Sequence, residues 1–199
     1  LQTIEGELRD PRKAHMLPAV LSARMWIKQR NWYSQTLLER WAEPFSLWAE
    51  LNARGDEAFT PITEFQTGER IADPAPIIHQ AWKLLISNHP HDSICGCSID
   101  ATHSDMVSRF DQVDQIGEAL TSQSLRSINA SINSLSDQHG VYAAVNVFNA
   151  APYSQTGKVS IDVDLPENGK VAILDSDGLR LPVELDVLDR EVVESNVFT

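Results

Sequence analysis

Asp105-Met106-Val107-Ser108-Arg109-Phe110-Asp111-Gln112-Val113-Asp114-Gln115-Ile116-Gly117-Glu118-Ala119-Leu120 decides the fold class. Met106, Phe110, Val113, Ile116 or Gly117, and Leu120 return every three or four positions, with polar residues between them. That is the period of a helix with one buried face. The stripe runs on through Ile128, Ile132 and Leu135, roughly eight turns at 3.6 residues each. It is expected to start from an N-cap at Asp100 and to stop at Asp137-Gln138-His139-Gly140.

Two shorter helical patterns precede it. The first begins near Pro18 and carries Leu21, Met25, Trp26, Trp32, Leu37, Leu38, Trp41, Phe45, Trp48 and Leu51. Pro44 lies inside it and is expected to kink or locally break it, because proline lacks the N–H and crowds the preceding turn. Asn52-Ala53-Arg54-Gly55-Asp56 reads as its stop. The second pattern covers about 75–88, with Pro74 and Pro76 in its first turn and Ile78, Ala81, Trp82 and Leu85 on one face. It must end before His89, since a residue ahead of proline is pushed out of helical geometry. Residues 1–16 are irregular and charge-rich, and 55–73 read as a connector.

Past residue 140 the character changes. Residues 141–149, 159–164, 171–174 and 181–185 are strand-like, separated by Gly and Asp turns. The expected fold is therefore mainly α: a three-helix bundle with a long third helix, followed by the start of an antiparallel β-sandwich region. About sixty residues of strand make an incomplete sandwich, which usually needs seven strands or more.

Composition narrows the function. The 199 residues carry a formal net charge of -12 and a pI near 4.8. No basic run exists to hold phosphates, so nucleic acid is not an expected partner. No apolar stretch approaches the roughly 18 residues of a membrane span. The opening Leu1-Gln2-Thr3-Ile4 has no initiating Met and no basic or apolar leader, and the chain stops straight after a strand-like stretch. Both ends read as cut from something longer. Two cysteines are too few for a disulfide scaffold, so free thiols and a cytoplasmic location are expected.

The chemistry gathers between the second and third helical patterns, in Asn88-His89-Pro90-His91-Asp92-Ser93-Ile94-Cys95-Gly96-Cys97. His91 can ligate a metal and Asp92 can ligate or hydrogen-bond a substrate; a polar turn whose histidines cap helix ends accounts for the same residues. His89, His91, Cys95 and Cys97 together could form a small zinc site, though ligands two apart on both sides strain a tetrahedron. Buried free thiols are the plainer reading of the cysteines. His103-Ser104-Asp105 spells His-x-Asp but falls where an acidic helix start is expected, and is read as solvated. The first helix's tryptophans could stack on sugars; at helical spacing they are read as core.

The residues themselves carry a resemblance. Trp82-Lys83-Leu84-Leu85, the corner from Asn88 to Asp100, His103, Asp105-Met106 and Arg109-Phe110-Asp111-Gln112 resemble glycoside hydrolase family 38, the alpha-mannosidases, in its bacterial form. Gly6-Glu7-Leu8-Arg9 and Leu21-Ser22-Ala23-Arg24-Met25 resemble the segment joining that family's catalytic and helical domains. The likeness is strong over about residues 5–120. Animal members read His-His-Asp-Ala-Ile at the corner, so Pro90 and Ser93 mark the bacterial form. The segment before Ser22-Ala23-Arg24 departs from the animal pattern: Met16 and Leu17 stand where an aromatic is common.

The resemblance implies a retaining exo-alpha-mannosidase with one active-site zinc, acting on mannose-containing oligosaccharides, the parent enzyme being a homodimer. His91 matches the helical domain's zinc ligand, and Asp92 the carboxylate that contacts the sugar. The remaining zinc ligands, the nucleophile and the general acid fall upstream of residue 1, so no catalytic residue is expected in this chain. Residues 1–17 then correspond to the tail of a catalytic α/β domain, 18–139 to the helical middle domain and 140–199 to the beginning of a C-terminal β domain. A chain with one imidazole ligand is expected to bind zinc weakly or not at all and to show no mannosidase activity alone.

Overall fold

Helix-forming stripes dominate the computed structural model, which describes residues 3, 11–12, 15–55, 73–132, 143–163, 172–175 and 177–184. A short 3₁₀ turn at Pro18–Leu21 leads in. The chain then breaks at Arg24, in the left-handed region, before α1 spans Met25–Leu37. A π-turn at Leu38–Ala42 joins α1 to α2, Glu43–Gly55. Next come α3 at Ala75–Ile86, the single turn α4 at His91–Ile94, and α5 at Asp100–Ala130.

The π-turn is how the rod tolerates Pro44. A regular helix would bring the proline ring against the Arg40 carbonyl and leave that acceptor without a donor. Instead Glu43 N–H reaches back to the Leu38 carbonyl, one residue further than in an α-helix, and the rod continues. The proline effect lands one turn early, as a widened turn instead of a break.

α5 is the scaffold against which α1, α2 and α3 pack. Its buried face is His103, Met106, Phe110, Val113, Asp114, Gly117, Leu120, Ser124 and Ile128. The expected stripe from Met106 to Ile128 thus forms, with Gly117 in the buried seam and Ile116 packed partly at its edge. A Cβ on Gly117 would stand 2.7 Å from Leu37 Cδ2, so glycine permits a close crossing with the end of α1. Asp100 is not the N-cap: Ile99 takes that position, and the Asp100 carboxylate pairs with Arg24 instead, at 2.7 Å. The helix ends at Ala130; Leu135 and the stop at 137–140 lie outside the described residues.

The first rod buries a different face from the expected one. Ile27, Ser34, Leu38, Ala42, Phe45, Ser46 and Ala49 are buried. Trp26, Trp32, Trp41 and Trp48 keep between 41% and 69% of their surface exposed, so the core reading of these tryptophans is corrected. Close helix crossings favour small side chains, and wide indoles are displaced to the flanks. Two serines in the seam are satisfied across it: Ser34 Oγ donates to Asp114 Oδ1 at 2.5 Å, and Ser46 Oγ meets Ser124 Oγ at 3.1 Å. Beyond α5, Phe148 packs edge-on against Phe45 and Trp48. On α3, Ala81 and Leu85 are buried and Ile78 and Trp82 pack beside them, as the spacing predicts.

The chain divides into two compact units, residues 1–155 and 156–199. In the second, the strand-like stretches do not pair into strands among the described residues. One antiparallel bridge, Leu174 to Arg180, closes a turn at Gly178, whose φ of 81° suits glycine. Asp175 organises that turn by accepting from the N–H groups of Asp177 and Leu179. A lone two-stranded pairing is marginal in water, and period-two patterning alone supplies no third strand. Residues 164–171 and 185–199, where parts of the expected strands fall, lie outside the described residues.

Candidate functional site

The corner between α3 and α5 is anchored on one side and open on the other. Asn88 is fully buried: its Nδ2 donates to the Met106 carbonyl at 3.2 Å and its Oδ1 accepts from Arg109 Nη1 at 3.1 Å. His89 Nε2 meets Asn31 Oδ1 at 2.6 Å, and burial pushes its pKa below the ordinary value. Both are structural groups that tie the corner to α5 and α1.

Pro90 then turns the chain in extended geometry, ψ 138°, and α4 lifts the next residues outward. The His91 side chain is 91% exposed and that of Asp92 64%, with His91 Nε2 3.3 Å from Asp92 Oδ1. Cys97 Sγ donates to the same oxygen at 3.2 Å. Asp92 Oδ2 accepts no hydrogen bond from the described residues. The carboxylate beside it raises the Cys97 thiol pKa, the hydrogen bond being the largest cause. Cys95 is half-buried and Cys97 exposed, both as free thiols; Cys97 therefore departs from the buried reading.

The small zinc module is not supported by this geometry. His89 is engaged by Asn31 and Cys97 by Asp92. Among the described residues no three His, Cys, Asp or Glu side chains converge as a metal would require. What the corner offers is one open imidazole beside one half-free carboxylate. That set fits a single contribution to a metal site completed by other residues, and does not fit a site by itself.

His103 is corrected too. It is 2% exposed, not solvated, and neither ring nitrogen finds a hydrogen-bond partner among the described residues. Asp105 is exposed. The His-x-Asp spelling thus splits across the helix, one residue inward and one outward, and holds nothing jointly.

A second open feature is built partly from tryptophans that helical spacing assigns to the core. Trp32, Tyr33 and Trp41, with Thr36, Leu37, Glu118, Thr121, Ser122 and Leu125, line a groove of about 640 Å³ between α1 and α5. Tyr33 Oη donates to Glu118 Oε1 at 3.0 Å, which raises the phenol's pKa.

With this geometry in place, likeness to known proteins sharpens the class. No protein-family model matches the sequence. A putative mannosylglycerate hydrolase from Halalkalibacterium halodurans is 37% identical over 139 residues, which is 69% of this chain and 13% of that protein. The crystal structure of an alpha-mannosidase from Enterococcus faecalis V583 matches at 34% identity and a TM-score of 0.48, over 58% of this chain and 11% of that one. The 37% identity bears out the resemblance: the chain is related to mannosidase-type glycoside hydrolases. It spans about an eighth of the length of the curated relative it matches. No helix among the described residues is long and apolar enough to cross a membrane.

Proposed function

We propose that this chain works as part of a zinc-dependent retaining exo-alpha-mannosidase that removes terminal alpha-mannose from oligosaccharides, with His91 as one zinc ligand and Asp92 as a sugar-contacting carboxylate. The observation that carries the reading is the outward pair itself. Asn88, His89 and Cys97 are engaged by neighbouring groups, while His91 and one oxygen of Asp92 face outward on a turn braced by Asn88 and His89. The 37% identity to a putative mannosylglycerate hydrolase supports hydrolysis of a mannosyl bond.

The chemistry a bound zinc supplies is a Lewis-acid grip on neighbouring sugar hydroxyls, which favours a flattened, oxocarbenium-like ring. This chain's own residues bind and orient. His91 offers a neutral nitrogen, and Asp92 accepts from a hydroxyl and adds negative charge near developing positive charge. The nucleophile and general acid are not assigned to any residue of the chain. Residues 1–17, 18–139 and 140–199 are proposed as catalytic-domain tail, helical middle domain and first part of a β domain; a homodimeric, cytoplasmic parent is part of the same reading.

The purified chain is expected to give no turnover of an aryl alpha-mannoside and to retain no stoichiometric zinc after dialysis, since one imidazole cannot hold the metal against water. Turnover by the chain alone would overturn the assignment of catalysis to other residues. A non-catalytic helical interaction module is the competing reading, favoured by the exposed Trp32–Trp41 groove. It predicts that altering His91 and Asp92 leaves mannosidase activity untouched.

A further inference from the structure

The corner is also held from the N-terminal side of α1. Arg24 has φ 45°, the left-handed region that residues with a Cβ rarely adopt. Gly96, in the turn after α4, has φ 83°. The two segments touch there: a Cβ on Gly96 would stand 3.0 Å from the Ala23 carbonyl oxygen and 3.2 Å from Arg24 Cβ. Arg24 Nε donates to the Gly96 carbonyl at 3.1 Å, and Lys28 Nζ to the Cys95 carbonyl at 3.1 Å. The backbone at 95–96 is thus pinned to the start of α1. An observed strained residue of this kind, kept in place by surrounding bonds, is a pointer to function.

The next residue closes the turn on Asp92. Cys97 N–H donates to the Asp92 carbonyl at 3.1 Å, Ser98 N–H to the same carbonyl at 3.2 Å, and the Cys97 thiol to Asp92 Oδ1 at 3.2 Å. We propose that Cys97 is a positioning residue for Asp92: the Arg24–Gly96 contact fixes the turn, the thiol holds Oδ1, and Oδ2 is presented to a sugar hydroxyl. This rests on the reading of Asp92 as a sugar-contacting carboxylate. A carboxylate this exposed has few restraints: His91 Nε2 lies 3.3 Å from Oδ1, and the thiol, a weak donor, is helped by the charge of its acceptor.

The contact and its role are tested separately. In the 199-residue chain carrying Cys95→Ser, the rate of Cys97 alkylation by iodoacetamide at neutral pH is expected to rise when Asp92→Asn removes the charge that suppresses the thiolate. An unchanged rate overturns the contact. In the complete hydrolase, Cys97→Ala is expected to lower kcat/KM on an aryl alpha-mannoside by about tenfold or more. Zinc content and Tm are expected to stay unchanged, and Cys97→Ser, which keeps a donor, to recover most of the loss. Full activity in Cys97→Ala, equal loss in both variants, or loss that tracks Tm overturns the positioning role. Normal mannosidase activity with no dependence on Cys97 sinks this inference alone. A complete protein without mannosidase activity sinks the functional reading and this role with it.

Discussion

Asp92 and His91 are exposed because their neighbours are not. Asn88 bonds to the Met106 carbonyl and the Arg109 side chain of α5, and His89 to Asn31, which leaves the next turn to project. The sequence shows which chemical types gather here, but not which ones are spent. Spacing alone treats His89 and His91 as equals; only the packing of α1 against the corner separates them. The left-handed Arg24 was equally illegible, since that conformation follows from a contact 72 residues away. Gly96 is the position most sensitive to this contact. Gly96→Ala is expected to cost about 1–2 kcal/mol from the left-handed φ alone, with the approach to Ala23 adding to it. Urea unfolding measures it, and a variant as stable as the parent protein would contradict the account of the corner.

The helices were legible where the buried face is apolar and obscure where it is small or polar. α5 announced itself through Met106, Phe110, Val113 and Leu120, and these are buried. In the first rod the sequence holds more large apolar residues than one face can bury, and counting them selects the tryptophans. The seam instead takes Ser34, Ala42, Ser46 and Ala49 between Ile27, Leu38 and Phe45. Phe45→Ala is therefore expected to cost about 3–5 kcal/mol, and Trp32→Ala under about 1 kcal/mol. Comparable losses from the two would contradict the assigned face.

The same seam predicts a pH dependence. Asp114 is 7% exposed and is held by Ser34 at 2.5 Å and Arg30 at 2.7 Å. Burial is the largest influence and raises its pKa above the ordinary 3.8, with Ser34 and Arg30 opposing. The folded state therefore keeps this proton to higher pH than the unfolded chain does. Between about pH 3.8 and the raised value, stability falls as pH rises. Asp114→Asn is expected to flatten that slope in urea unfolding across a pH series; a wild-type contribution that grows with pH in this window would contradict it.

At the scale of the molecule, residues 156–199 show how far a pattern can run ahead of a structure. Their alternation is real, yet among the described residues one bridge at Leu174 and Arg180 is all the pairing there is. A strand is stabilised by its neighbours, whereas α5 closes its hydrogen bonds within itself. The proposed function is divided in the same way: the corner offers one imidazole and one carboxylate, too few for a metal centre by themselves, and the proposal makes them one wall of it. The most direct test pairs two variants in the complete mannosidase-type hydrolase, with zinc content and turnover of an aryl alpha-mannoside measured on each. His91→Ala is expected to lose zinc and activity together, and Asp92→Ala to lose activity with most of the zinc retained. Full zinc and full turnover in both variants would contradict the placement of this corner at the active site.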